Sequence, residues 1–266
     1  MKKIGFIGAG NMATAIINGL ISNKAALPEN INVFDLDKEK LSVMSEKGIV
    51  TLADSKEVVK NSGIIVLAVK PQNYSDVLQE IKDVVNESKI FVSIAAGISI
   101  GFVRKELSCN CPMVRVMPNT PLLLGKGATA LCPSENISQS DFDTVKEMFS
   151  LSGEVEIFSE DHMNEIIAVN GSSPAYIYLF AKVMADYAKS CGIDYDKAMN
   201  LICATLTGSA EMLKNSGDSA ETLIEKVSSK GGTTIAALDK LREYHFEEAV
   251  TEAMKACTKR AEELGK

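Results

Sequence analysis

The chain has 266 residues, 46% hydrophobic and 24% charged, with a formal net charge of -7, a length that suits two domains. No apolar run approaches the ~20 residues that span a bilayer, so no membrane is implied. An acidic balance without a Lys/Arg run argues against nucleic acid and leaves a small molecule as the partner. Met1-Lys2-Lys3 leads straight into a strand without an apolar leader, so a cytoplasmic location is expected. Cys109, Cys111, Cys132, Cys191, Cys203 and Cys257 lack C-x-x-C spacing, and His162 and His245 are isolated. No metal site is expected, and reduced thiols are.

In chain order, short β-branched apolar runs predict strands over 3–7, 31–34, 64–69, 90–94, 113–116, 128–132 and 155–158. Helical periodicity over 12–22, 38–46, 55–62, 74–85 and 140–150 falls between them, the pattern of βαβ units and a doubly wound parallel sheet. Beyond residue 161 the strands stop. Helices are predicted over 164–190, 195–215, 220–228, 233–243 and 246–264, giving an α/β domain over 1–161 and an all-α domain over 162–266.

The first strand runs into Gly8-Ala9-Gly10-Asn11-Met12-Ala13, a G-x-G-x-x-A turn that opens a helix. Gly8 permits the tight turn, Gly10 lets a pyrophosphate approach the backbone, and Ala13 lets helix pack on strand. The helix N terminus adds N–H groups and partial positive charge, so the stretch from Gly8 through Ala9, Gly10 and Asn11 to Met12 is assigned to a dinucleotide. Asp35 ends the second strand, where an acid accepts from the adenosine ribose hydroxyls and disfavours a 2′-phosphate. NADH is therefore slightly favoured over NADPH, with Lys38 near enough to offset the charge. Asp35 also reads as an ordinary turn or cap residue.

Three further loops follow strand C termini, the edge at which doubly wound sheets bind ligands. They carry Ala68-Val69-Lys70-Pro71-Gln72, Ala95-Ala96-Gly97 and Met117-Pro118-Asn119-Thr120-Pro121. Ala68, Val69, Lys70, Pro71, Ala95, Ala96 and Asn119 are thus candidate cofactor contacts, with Lys70 as a point charge and Asn119 as donor and acceptor.

The helical half carries Asn170-Gly171-Ser172-Ser173-Pro174-Ala175-Tyr176 and Ser228-Ser229-Lys230-Gly231-Gly232-Thr233-Thr234. The second stretch offers unblocked backbone N–H groups and hydroxyls ahead of a helix, as an anion site requires, and is equally a plain capped helix start. Tyr176, Tyr178, Phe180 and Met184 recur near helical spacing, which suits a core or a dimer interface. Charge signs alternate over 255–266, as on a solvated face.

The ordered set FIGAGNMA, AVKPQ, SIAAG and MPNTP, with these two helical motifs, resembles the pyrroline-5-carboxylate reductase family along the whole chain. The resemblance implies a Rossmann-like first domain and an all-α dimerisation domain interleaved with a partner subunit. It implies NAD(P)H-dependent reduction of the cyclic imine 1-pyrroline-5-carboxylate to L-proline, the last step of proline biosynthesis. It further implies a dimer-based homo-oligomer, commonly a decamer, with an active site shared across the dimer. By the same resemblance Ser229, Gly231, Gly232 and Thr233 hold the substrate carboxylate, catalytic Thr234 hydrogen-bonds the ring nitrogen, and Glu160 lies beside the substrate. Among the positions that depart from the family's SGSGPAY and S-P-G-G-T-T, Ser173 replaces the second glycine and Lys230 the proline.

Two other readings share part of the pattern. A 2-hydroxy acid dehydrogenase of the 6-phosphogluconate dehydrogenase type would need Lys182 or Lys189 as its catalytic lysine, and neither sits in a supporting motif. A non-catalytic dinucleotide sensor would have no use for a second anion site.

Overall fold

The computed structural model describes residues 2–265; Met1 and Lys266, the outer ends of the glycine-turn segment and of the charged C-terminal run, lie outside the described residues. The chain divides into two compact units. One runs to Pro174 and takes the chain back from Lys255 onward, and the other is Ala175–Met254. A division at 161/162 therefore falls within the first unit.

The first unit is built on an eight-stranded sheet. Its elements are β1 (Ile4–Ile7), α1 (Asn11–Ser22), β2 (Ile31–Phe34), α2 (Lys38–Glu46), β3 (Val50–Thr51), α3 (Ser55–Asn61), β4 (Ile64–Leu67) and α4 (Tyr74–Ile81). They continue with β5 (Ile90–Ser93), α5 (Ile100–Leu107), β6 (Met113–Met117), β7 (Gly127–Pro133), α6 (Gln139–Ser150) and β8 (Gly153–Ile157). The strand order is β3-β2-β1-β4-β5-β6-β7-β8.

The central strands are buried on both faces, which is why they read as unbroken apolar runs. Along β4, Ile64 and Val66 join one core with Ile16, Ile17 and Leu20 of α1 and Phe149 of α6. Ile65 and Leu67 join the other, with Val58, Leu78 and Val103 from α3, α4 and α5. Period-two alternation thus sends successive side chains to opposite helical layers. Each such fully buried side chain contributes roughly 1.5–3 kcal/mol.

The sheet is doubly wound and mostly parallel, as expected; one pair departs, β7 running antiparallel to β6, and β8 then pairs parallel with β7. The connection from Met117 to Gly127 is too short for the crossover a parallel pair needs. The sheet also has β3 at its edge and α5 beside β6, neither of which stood out in the periodicity. α5 contains Gly101 within an apolar stretch; its start is fixed by Ser99, whose hydroxyl accepts the Phe102 N–H at 3.1 Å.

The expected helix over 164–190 is interrupted. A π turn, Ile167–Gly171, precedes α7 (Ser173–Ser190). Its cause is the Asn170 amide, which donates to Met117 O at 2.7 Å and to Ala128 O at 2.9 Å and so draws the turn onto the ends of β6 and β7. α8 (Tyr195–Asn215), α9 (Ala220–Lys226), α10 (Thr233–Glu243) and α11 (Phe246–Leu264) follow as the periodicity predicts. Between α10 and α11, His245 adopts φ +54° and turns the chain.

The second unit has a small core of its own, Ala181, Ala185 and Ile202. Large apolar side chains remain exposed on its helices, among them Leu179 at 63%, Tyr187 at 72% and Leu201 at 72%. Among the described residues no helix is long and apolar enough to cross a membrane.

Candidate active site

The turn after β1 has the geometry a phosphate requires. Gly8 has φ +102°, and a Cβ there would lie 2.7 Å from Ala68 O, so no other residue fits without moving backbone. Gly10 is extended, and a Cβ on it would meet no protein atom within 4 Å. It is the N-cap of α1 yet offers no side chain, which leaves the first N–H groups of the helix free for an anion. Ala13 is buried against the sheet.

Asp35 is built into this turn. Its Oδ2 accepts the Ala9 N–H at 2.7 Å, its Oδ1 accepts the Asp37 N–H at 2.9 Å, and Lys40 Nζ lies 3.7 Å away. The acid is therefore both a turn residue and a lining residue of the cleft beside it. That cleft, about 590 Å³, runs from Gly8 and Gly10 past Asp35 to α3 and α4. It lies where α1 and the helices after β4 leave on opposite sides of the sheet, the switch point at which such sheets bind dinucleotides.

Of the residues expected from sequence, Gly8, Gly10, Asp35, Ala68, Val69 and Lys70 line this cleft. Ala9 is buried behind the turn, Asn11 and Met12 form the first turn of α1, and Pro71 begins the short turn after Lys70. Ala95 and Ala96 stand farther along the same edge, after β5. Gly97, with φ +81°, packs against the backbone of Ala261 and Gly265, so the end of α11 braces this loop. Asn119 is buried: its Oδ1 accepts the Ala128 N–H at 2.9 Å and its amide donates to Asn170 O at 3.2 Å. Lys40, Ser55, Asp76 and Glu80 also line the cleft and were not singled out in the sequence; their separation along the chain gives no local signal.

Glu160 Oε1 accepts the Ile100 N–H at 2.7 Å, which caps α5, and lies 3.6 Å from the buried Arg115 guanidinium. Burial lowers the Arg115 pKa and Glu160 works in the opposite direction.

The glycine segment of the second unit is also preorganised. Gly231 has φ +73°, and Gly232 is an N-cap without a side chain, leaving the start of α10 open. Gly232 N–H donates to Ser229 O at 2.9 Å, which closes the turn. Ser228 Oγ is buried and, among the described residues, has no hydrogen-bond partner. An uncapped helix start behind a glycine turn fits a carboxylate or other oxyanion. Thr233 is exposed and Thr234 half-buried on the first turn. Ser173 is accommodated as the first residue of α7, and Lys230 projects as an exposed loop residue.

A glycine turn with a free helix start, an acid at the end of β2 and a cleft at the switch point define a Rossmann-type dinucleotide-dependent oxidoreductase. Residues 3–97 match the family described as NADP oxidoreductase coenzyme F420-dependent, and residues 160–264 that described as pyrroline-5-carboxylate reductase dimerisation. The chain is 37% identical over 266 residues to the pyrroline-5-carboxylate reductase of Escherichia coli (strain K12), covering 100% of this chain and 99% of that one. It is 35% identical over 266 residues to that of Methanosarcina acetivorans, covering 100% and 98%. The Plasmodium falciparum pyrroline carboxylate reductase, solved with NADP bound, matches with a TM-score of 0.93 at 30% identity, covering 100% of this chain and 98% of that one. The chain belongs to the pyrroline-5-carboxylate reductase family.

Membership removes the dehydrogenase alternative. Lys182 is paired with Asp186 on an exposed helix face, and Lys189 is exposed near the end of α7. The second unit's helices with exposed apolar side chains fall within residues 160–264, the span matched by the dimerisation family.

Proposed function

We propose that this protein reduces 1-pyrroline-5-carboxylate to L-proline with NAD(P)H, the last step of proline biosynthesis. The observation that carries the reading is a second anion-ready helix start, Gly231 at φ +73° and an uncapped α10, in a chain whose first unit has a dinucleotide turn. A bound dihydronicotinamide supplies the hydride.

Gly8 through Met12 hold the pyrophosphate and Asp35 the adenosine ribose, with Ala68, Val69, Lys70 and Pro71 along the cleft. Ala95, Ala96 and Asn119 shape the edge beyond it. Ser229, Gly231, Gly232 and Thr233 anchor the substrate carboxylate through backbone N–H groups, and Thr234 Oγ hydrogen-bonds the ring nitrogen. Glu160 lies beside the substrate, and its carboxylate also fixes the start of α5 by accepting the Ile100 N–H. A cyclic imine of ordinary basicity arrives protonated, so positioning and hydrogen bonding suffice without a dedicated general acid.

On cofactor choice, the Asp35 carboxylate slightly favours NADH, and Lys40 at 3.7 Å offsets it. Residues 1–161 serve the cofactor and 162–266 dimerisation and substrate; the extent of the matched dimerisation family, 160–264, supports this division. The active site is completed across a subunit pair, and the pairs assemble into a decamer. Free thiols at all six cysteines suit the reducing cytoplasm, where we place the reaction.

The test follows dihydronicotinamide absorbance with pyrroline-5-carboxylate, with 6-phosphogluconate and with neither. Oxidation with the imine alone is expected, and its absence would overturn the reading. Thr234→Ala should lower turnover by about tenfold or more, as loss of one hydrogen bond to a charged group implies; unchanged kcat and KM would remove Thr234 from its role.

A further inference from the structure

We infer that Glu80 reads the adenine ring of the cofactor by accepting a hydrogen bond from its exocyclic amino group. The inference rests on the dinucleotide reading of the cleft.

The cleft has a direction. Its phosphate end is fixed by Gly8, Gly10 and the open start of α1, and its ribose position by Asp35 at the end of β2. The nicotinamide half leaves toward β5 and β6, so the adenine lies the other way, toward β2 and the edge strand β3. Leu36 after β2, Val69 after β4 and Val77 of α4 line the cleft and supply apolar surface suited to the faces of a flat ring. The rim is polar and acidic: Ser55, the first residue of α3, with Asp76 and Glu80, one helical turn apart on α4.

Glu80 is the acid held in place. The buried Ser55 hydroxyl donates to Glu80 Oε2 at 3.3 Å, which orients the carboxylate in the cleft wall and leaves Oε1 to accept from a ligand. Among the described residues no hydrogen bond fixes Asp76 in the same way. Both acids only accept hydrogen bonds when ionised. On the edge of adenine the matching group is the amino group, which donates; hypoxanthine puts a carbonyl oxygen there and sets acceptor against acceptor.

The experiment compares Kd values for NADH and for the reduced nicotinamide hypoxanthine dinucleotide, by dihydronicotinamide fluorescence without substrate. The expected preference for NADH is about tenfold, the lower range for a hydrogen bond to a charged group. In Glu80→Ala it should fall below about twofold, and in Glu80→Gln it should narrow as well, because the new carboxamide donates to the hypoxanthine carbonyl. In Asp76→Ala the tenfold preference should persist. Equal binding to the wild type, or a preference that survives Glu80→Ala or collapses in Asp76→Ala, would overturn the inference. Binding of neither dinucleotide would instead overturn the cofactor reading on which it rests. NADH binding without imine reduction would overturn the proposed activity and leave the role of Glu80 standing.

Discussion

Asp35 and Ala9 are joined by a 2.7 Å hydrogen bond from the Ala9 N–H to Asp35 Oδ2, so the acid expected to meet the ribose also holds the turn that meets the phosphates. Asp35→Ala should therefore act twice. Loss of the bond should lower Tm by roughly 2–4 °C, as one hydrogen bond of about 1 kcal/mol implies at this size. Loss of the ribose acceptor should weaken NADH about tenfold and NADPH less, shifting preference toward NADPH. Titration with both cofactors decides it: an equal loss for the two would confine Asp35 to the turn.

Gly8 and Gly10 are two residues apart and predict opposite outcomes. Gly8→Ala forces a side chain into φ +102° and within 2.7 Å of Ala68 O. It should cost roughly 1–3 kcal/mol or more and lower Tm by at least several degrees. Gly10→Ala meets open space, so Tm should stay within about 1 °C while dinucleotide affinity falls by at least tenfold. A thermal scan beside a cofactor titration separates the two, and a stable Gly8→Ala or a full-affinity Gly10→Ala would contradict the geometry.

Much of this was legible because its causes are local. α8 and α2 were located by periodicity alone; in the structure α8 begins behind Asp194, whose carboxylate accepts the Lys197 N–H, and α2 behind Asp37, which accepts the Glu39 N–H. The glycine turn was legible because each small residue answers to one steric demand. What escaped depends on contacts distant in sequence. The π turn at Ile167–Gly171 exists because Asn170 reaches Met117 and Ala128, 53 and 42 residues away. The return of the C-terminal segment to the first unit depends on Gly97 meeting Ala261 and Gly265. The pairing of Ser55 with Glu80 joins two helices whose sequences show no mark of a shared cleft wall.

Cys111 and Cys132 make alkaline stability a measurable quantity. Burial, with the Cys109 thiol beside it, pushes Cys111 from 9.0 to about 12. Burial and the nearby Glu160 charge push Cys132 up to about 11. Folded-state values above the unfolded ones mean that this stability is complete below about pH 9 and is lost as pH rises toward 11 and 12. Urea midpoints should therefore fall steadily above about pH 9. Cys111→Ala should lower stability at pH 7 yet flatten that alkaline slope, and a slope unchanged in the variant would assign it to other groups.

Leu179, Val183 and Tyr187 stand four residues apart along α7, all three exposed, in a unit whose own core is Ala181, Ala185 and Ile202. Four-residue spacing puts them on one helix face, and covering each side chain contributes roughly 1.5–3 kcal/mol. The stability of this unit should therefore come largely from the partner subunit, and wild-type Tm should rise with protein concentration, as mass action requires when association supplies the core. Leu179→Asp places a charge in the stripe and should give monomers by light scattering at micromolar concentration, with a lower Tm that no longer depends on concentration. Dinucleotide binding in the first unit should survive in that monomer, since its glycine turn and cleft lie wholly within residues 7–80. An oligomer that persists in Leu179→Asp would show that the stripe lies outside the interface.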